Sequence, residues 1–233
     1  MLLDKNISKI KINSDEWHQE RIGRFTSSEN HLLMGVTKIT DGGISYIYRK
    51  VGEVTAGMPS KDDITTAATA HGNTYEIEGL QRYRDSLGID FIAMRVFVKD
   101  GERFGSTPDA IQLLGETKDE NGELAYKVKT VEVKCPYSFN AYIALWKCKT
   151  PADVKKEEKA YYYQVLDQMI VCGALRGVLV IYQPFFKDGG LRVIEFVLTD
   201  KESGVLEDYN LLKQRRKLAE KMFDELREEL VNS

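Results

Sequence analysis

The segment Val131-Glu132-Val133-Lys134-Cys135-Pro136 sets a carboxylate and an ammonium two residues apart among β-branched neighbours. Side chains alternate across a strand, so Glu132 and Lys134 share one face while Val131 and Val133 point into an apolar one. Burying such a pair is costly unless each member has a partner or a task. Pro136 cannot donate to a ladder, which ends the strand there and leaves both polar residues near its mouth. Upstream, Ser106-Thr107-Pro108-Asp109 offers a second carboxylate. The Asn121-Gly122 pair between the two segments predicts a hairpin turn that brings Asp109 beside Glu132. Adjacent carboxylates repel one another unless a cation lies between them, and hard oxygen donors suit magnesium above other ions. Such an ion can acidify a bound water and offset charge on a phosphate. Lys134 would orient that water or stabilise the developing negative charge. Taken singly, a Glu-x-Lys on a strand reads as a surface cross-strand pair and a Pro-Asp as a turn. Their joint D-x22-E-x-K spacing favours chemistry.

Other elements must hold these residues in place. The stretch SDEWHQERIGRFTSSENHLLMG reads as two short helices broken near Gly23–Phe25. Thr26-Ser27-Ser28-Glu29 has the form of a capping box ahead of Leu32, Leu33 and Met34. Residues 37–65 read as loop around one short helix near Ser45–Thr55, followed by a helix from about Thr65 to Ser86. Phe91–Val98, Thr107–Leu114 and Ala125–Cys135 are rich in β-formers. A helix from about Glu157 to Gly173 comes next, then strands Gly177–Gln183 and Leu191–Leu198 around a turn at Lys187–Gly190. A long amphipathic helix, about Ser203 to Val231, closes the chain. This order predicts a mixed α/β (α+β) fold, a central mixed β-sheet flanked by helices. No Pro/Gly-rich linker divides it, so a single domain over 1–233 is expected.

Composition narrows the classes. Apolar residues make up 42% and charged residues 30%, as in ordinary globular proteins. No apolar run approaches the roughly 18–20 residues of a bilayer span, and the start lacks the order of a secretory signal. A soluble cytoplasmic protein with no membrane partner is expected. Cys135, Cys148 and Cys172 are too few and too widely spaced for a zinc set, and read as reduced thiols. A net charge of −3 and a pI near 5.8 argue against a broadly basic surface. The five lysines between Trp146 and Lys159 offer a local positive patch for nucleic acid or, on the plainer reading, a solvated, partly helical face.

Four stretches, WHQERIGRFTSSE, HGNTYE, GSTPDA and VEVKCP followed by YYYQVLDQM, together resemble the PD-(D/E)XK nucleases. Within them the likeness is to the phage lambda exonuclease and YqaJ-type viral recombinase family, across about residues 15–185. The resemblance implies a restriction-endonuclease-like core. It implies metal ligation by Asp109 and Glu132, a catalytic Lys134, a supporting helix-borne Glu76, and Gln164 near a metal-bound water. It also implies that the N-terminal helices bind a DNA end, with Arg21 and Ser28 holding its 5′-phosphate. The activity implied is 5′-to-3′ hydrolysis of one strand of duplex DNA to 5′-mononucleotides, with Mg2+ and with Mn2+ as a substitute. A homotrimer is implied, as is a single-strand annealing protein that takes the remaining 3′ strand.

The residues speak for parts of this on their own. Ser28 is expected in the first turn of a helix, where unpaired N–H groups favour a phosphate, and Arg21 offers a planar fork. Gln164 and Gln168 lie four apart on one helical face, with Tyr161 three residues before Gln164. A cap, a surface salt bridge and a solvated helix are the plainer readings. Ala110 stands where the family often has glycine, and the three cysteines cannot build the iron–sulfur cluster of some relatives. Two alternatives remain: an endonuclease of restriction or repair on the same core, and a catalytically silent DNA-binding module. The complete set Glu76, Asp109, Glu132 and Lys134 speaks against the second.

Overall fold

The computed structural model describes residues 2–60, 67–186, 190–200 and 202–232. Its organising unit is the predicted hairpin. Strands β6 (Ala110–Lys118) and β7 (Leu124–Lys134) pair antiparallel. At their turn Gly122 holds φ 77°, and Asp119 Oδ1 accepts from the N–H groups of Asn121 (2.9 Å) and Glu123 (2.8 Å). β7 pairs parallel with β8 (Arg176–Tyr182), and β8 antiparallel with β9 (Leu191–Val197). With β3 (Ala93–Met94) beyond β6, the order is β3-β6-β7-β8-β9. β1 (Leu2–Leu3) pairs with the end of β7 that β8 does not reach. A second, three-stranded sheet joins β2 (Phe25–Thr26), β5 (Phe104–Ser106) and β4 (Val98–Asp100).

Alternation along β7 and β8 supplies each face of the main sheet with its own helix. Val131, Val133, Val178 and Val180 meet Leu80 and Tyr83 of α3 (Ala67–Leu87). Leu179 and Ile181 meet Val165, Leu166 and Met169 of α6 (Lys159–Cys172). A glycine stands in each contact. A Cβ on Gly79 of α3 would lie 2.9 Å from Val133 Cγ1, and one on Gly177 of β8 2.8 Å from Val165 Cγ1. α1 (Asp15–Arg21) is capped by Ser14. α7 (Val205–Asn232) closes the chain, and its Ala219 and Phe223 pack on Tyr46, Ile47 and Val51 of α2 (Asp41–Ala56).

Several expectations are corrected. The strand expected over Phe91–Val98 is two strands in two sheets, parted at Arg95 with φ 49°. The strand expected from Thr107 begins at Ala110, because Pro108 has no N–H for a ladder. The short helix near Ser45–Thr55 is longer, since Thr40 Oγ1 caps Gly43 N–H at 2.9 Å and draws the glycine pair into the first turn. Where one partly helical face was expected before Glu157, two helices form, α4 (Phe139–Lys147) and α5 (Pro151–Glu157). Ser138 caps the first, and a Thr150–Asp153 capping box with Pro151 starts the second. Lys155 of that stretch pairs with Asp208 at 2.7 Å. The expected capping box at Thr26–Glu29 does not form. Tyr46 Oη takes the Thr26 N–H at 2.8 Å, Glu29 pairs with Arg49, and only a four-residue 3-10 turn, Asn30–Leu33, follows. Residues 61–66, with the expected helix start at Thr65, and 187–189 of the expected turn lie outside the described residues. The three cysteines are buried and unpaired, and no helix among the described residues is long and apolar enough to cross a membrane.

Candidate active site

Three adjacent strands bring the site together. Met94 pairs with Ala110 and Ala110 with Val131, so one step further along lie Arg95, Asp109 and Glu132 in a row across the sheet. Arg95 N–H donates to Asp109 O at 3.0 Å. The Asp109 carboxylate accepts from Val133 N–H at 2.7 Å, which pins it against β7. Ala110, in the place of a glycine, is fully buried on the α3 face, so its methyl joins the apolar core.

Glu132 is buried on the α6 face and faces three donors. Lys134 Nζ stands 2.6 Å from its Oε1, Gln164 donates to the same oxygen, and Gln168 donates to Oε2. The glutamine stripe is thus a clamp on one carboxylate; Gln168, only 1% exposed, belongs to it as fully as Gln164. The Tyr161 ring centroid lies 5.1 Å from Lys134 Nζ and flanks the ammonium from the same helix. Glu76, half-buried on α3, completes the group, with Arg95 Nη2 at 3.9 Å.

These charges do not balance. Burial holds the Asp109 carboxyl well above its ordinary range, and Glu132 and Glu76 push it further against Lys134 and the Val133 N–H. Burial also raises Glu76, with Glu132 adding to it and Lys134 and Arg95 opposing. For Lys134 burial works the other way, yet Glu132 and Asp109 outweigh it and keep the ammonium firmly charged. Burial pushes the neighbouring Cys135 thiol up to about 12, so it is no nucleophile.

Among the described residues no three His, Cys, Asp or Glu side chains form a ready-made metal cage. The donor set is instead two neighbouring carboxylates, Asp109 and Glu132, whose mutual repulsion a cation would relieve. That suits a hard divalent ion that keeps several waters and takes one or two carboxylates. Lys134 and Gln164 share Oε1 of Glu132, whereas Oε2 accepts only from Gln168 and keeps a lone pair that an ion could use.

A cleft of about 160 Å³ runs from Asp109 and Gln164 to Arg95, Arg21 and Ser28. Both expected phosphate residues therefore open onto the same space as the Asp109 carboxylate. The Arg21 guanidinium stacks on Trp17 at 4.0 Å. Ser28 is not in the first turn of an α-helix: it precedes the 3-10 turn, 3.5 Å from Thr26 Oγ1, so a helix dipole adds little there.

A family model described as the YqaJ-like viral recombinase domain matches residues 16–175. The chain belongs to this family. Glu76, Asp109, Glu132, Lys134 and Gln164 all fall within the matched part. The YqaJ-like fold is similar to that of the alkaline exonuclease LHK-Exo from Laribacter hongkongensis. That structure is 18% identical with a TM-score of 0.65, over 94% of this chain and 99% of that one. The same exonuclease in complex with dAMP gives a TM-score of 0.66 at 18% identity, with 94% and 99% covered. A phage-related exonuclease from Haemophilus somnus 129PT gives 0.60 at 14% identity, over 89% of this chain and 96% of that one. At these identities the likeness is one of fold. Among curated proteins none matches the sequence significantly.

Gln168 was singled out in the sequence by its four-residue spacing from Gln164, without a role of its own. Two other residues of this YqaJ-like chain escaped the reading of its sequence. Arg95 carried none, because it joins the site through the pairing of β3 with β6. Asp167, fully buried between the two glutamines, faces elsewhere. It accepts from Ser27 Oγ at 2.6 Å and stands 3.2 Å from Arg216 Nη1 of α7.

Proposed function

We propose that this YqaJ-like chain is a magnesium-dependent exonuclease that degrades one strand of duplex DNA from its 5′ end. The observation that carries the reading is the Asp109–Glu132–Lys134 group, whose Asp109 lines one cleft with Arg21 and Ser28. Asp109 and Glu132 would hold magnesium, or manganese in its place, which would supply a more acidic water and compensate phosphate charge. Lys134 offers its ammonium to the phosphate oxygen that gains charge, or orients the attacking water. Gln164 and Gln168 fix the Glu132 carboxylate so that it need not reorganise, and Glu76 adds negative charge on the α3 side. Arg21 and Ser28 hold the terminal 5′-phosphate, which sets the register from which mononucleotides leave. Family membership and an exonuclease fold support hydrolysis of DNA ends; one neighbour of that fold is complexed with dAMP. A homotrimer around the duplex would supply processivity, and a single-strand annealing protein would take up the exposed 3′ strand.

Digestion of duplexes labelled at the 5′ or the 3′ terminus, in magnesium and in chelator, tests this reading. Early release of the 5′ label as mononucleotide, only with magnesium, is expected. Efficient cutting of covalently closed circles would make the chain an endonuclease, and no cutting at all would make it a silent DNA-binding module. Equal rates on 5′-phosphorylated and 5′-hydroxyl ends would remove the end-binding role from Arg21 and Ser28.

A further inference from the structure

Among the described residues, two that are not glycine hold a left-handed backbone, Asn13 at φ 62° and Arg95 at φ 49°. Both line the cleft beside Asp109. Asparagine visits that region readily, whereas a long side chain does so against steric opposition. The topology explains the conformation. Arg95 N–H still bonds to Asp109 O, and the chain must then leave the main sheet for β4 in the other one. It does not explain the residue, because glycine would take the same φ without the clash.

The side chain supplies the reason. The Arg95 side chain is 31% exposed and its Nη2 stands 3.9 Å from Glu76 Oε2, too far for a hydrogen bond. An arginine kept for structure looks different here: Arg216 is 5% exposed and reaches both Asp167 and Asp100. Among the described residues the Arg95 side chain makes no hydrogen bond, so its planar fork is available for two parallel bonds to a phosphate. The neighbouring group carries three carboxylates, Glu76, Asp109 and Glu132, against one lysine. A phosphodiester approaching it needs positive charge beyond Lys134.

We infer that Arg95 grips the phosphodiester under attack, while Arg21 and Ser28 hold the terminal phosphate in the same cleft. This rests on the nuclease reading above. Arg95 is in this view a substrate-binding residue, and its strained backbone is the cost of aiming a guanidinium from the strand end next to Asp109.

The test compares Arg95→Gly, which keeps the φ and removes the fork, with Arg95→Lys, which keeps the charge. Affinity for a 5′-phosphorylated duplex is measured across a salt series in chelator, cleavage in magnesium, and folding by thermal melting. Arg95→Gly is expected to melt at or above the wild-type temperature, because the backbone strain is gone. Its slope of log affinity against log salt should fall by about 0.9, the signature of one lost phosphate contact. Its cleavage rate at saturating DNA should fall by about 100-fold. Arg95→Lys should restore the slope but only part of the rate. Wild-type affinity, slope and rate in Arg95→Gly would overturn the inference. So would a lower melting temperature with an unchanged slope, which would leave only a structural pairing with Glu76. A wild-type chain that cuts no DNA, yet shows the slope change on Arg95→Gly, would sink the nuclease reading and leave the phosphate contact standing.

Discussion

Helix α6 takes part in two buried charge clusters that obey different rules. On one side of it Asp167 meets one guanidinium and one hydroxyl, and Arg216 reaches on to Asp100 and stacks on the Phe104 ring at 4.0 Å. Burial raises the Asp167 carboxyl, and Arg216, Ser27 and Asn30 draw it back down. On the other side Gln164 and Gln168 hold Glu132 within a group of three carboxylates and one lysine. There burial raises Asp109, and its two acidic neighbours push it the same way. The first cluster is closed in the sense that its one fully buried carboxylate, Asp167, faces a guanidinium of the chain at 3.2 Å. The second is open, since it is satisfied only when something positive arrives. Burial of charge is common to both, so burial does not mark the site; the imbalance does.

The widest gap between the clusters should be in rate. Lys134→Ala or Asp109→Asn is expected to slow release of a 5′-labelled nucleotide by about 1,000-fold. A variant that keeps a tenth of the wild-type rate would break the assignment. Asp167→Ala takes away one of the two carboxylates that Arg216 reaches and leaves Ser27 Oγ without its acceptor, and is expected to cost about 1–3 kcal/mol in urea unfolding. Replacing Arg216 by Met as well should recover part of that loss, because no buried guanidinium is then short of a partner. Magnesium at about a hundred times its dissociation constant should stabilise the wild-type chain by about 2.7 kcal/mol and leave Asp109→Asn almost unmoved. Equal stabilisation of the two would place the ion elsewhere.

The smallest effect is a dependence on pH without metal. Asp109 has its folded pKa above the unfolded value near 3.8, so its favourable contribution is complete below that value. The contribution is lost as pH rises through the raised folded pKa. Asp109→Asn should therefore become the more stable protein as pH climbs through that window. Parallel stability curves for the two chains would show that the second cluster is closed after all.

The chemistry was legible in the sequence where it is local. The alternation of Val131-Glu132-Val133-Lys134, the Asn121-Gly122 turn and the Gln164–Gln168 spacing each depend on a few neighbouring residues, and all three hold in the structure. What depended on distant partners was not legible. Phe91–Val98 is β-rich throughout, and nothing local shows that it divides between two sheets at Arg95. Thr26 and Glu29 read as reciprocal caps until Tyr46 and Arg49, from another helix, claim both. Arg216 looked like any cation of an amphipathic helix, and only packing against α6 shows what it neutralises.

The bare backbones of Gly79 and Gly177 face opposite sides of the same two central strands. Each lets a helix lie closer to the sheet than any side chain would permit. Glu76 sits three residues from Gly79, and Val165, which Gly177 receives, sits next to Gln164. The gap between the functional groups is thus gauged by two missing methyls, like shims left out of a vice. A single added carbon at either place would come within 3.0 Å of a valine methyl, so the jaws would have to yield without a polar atom being touched.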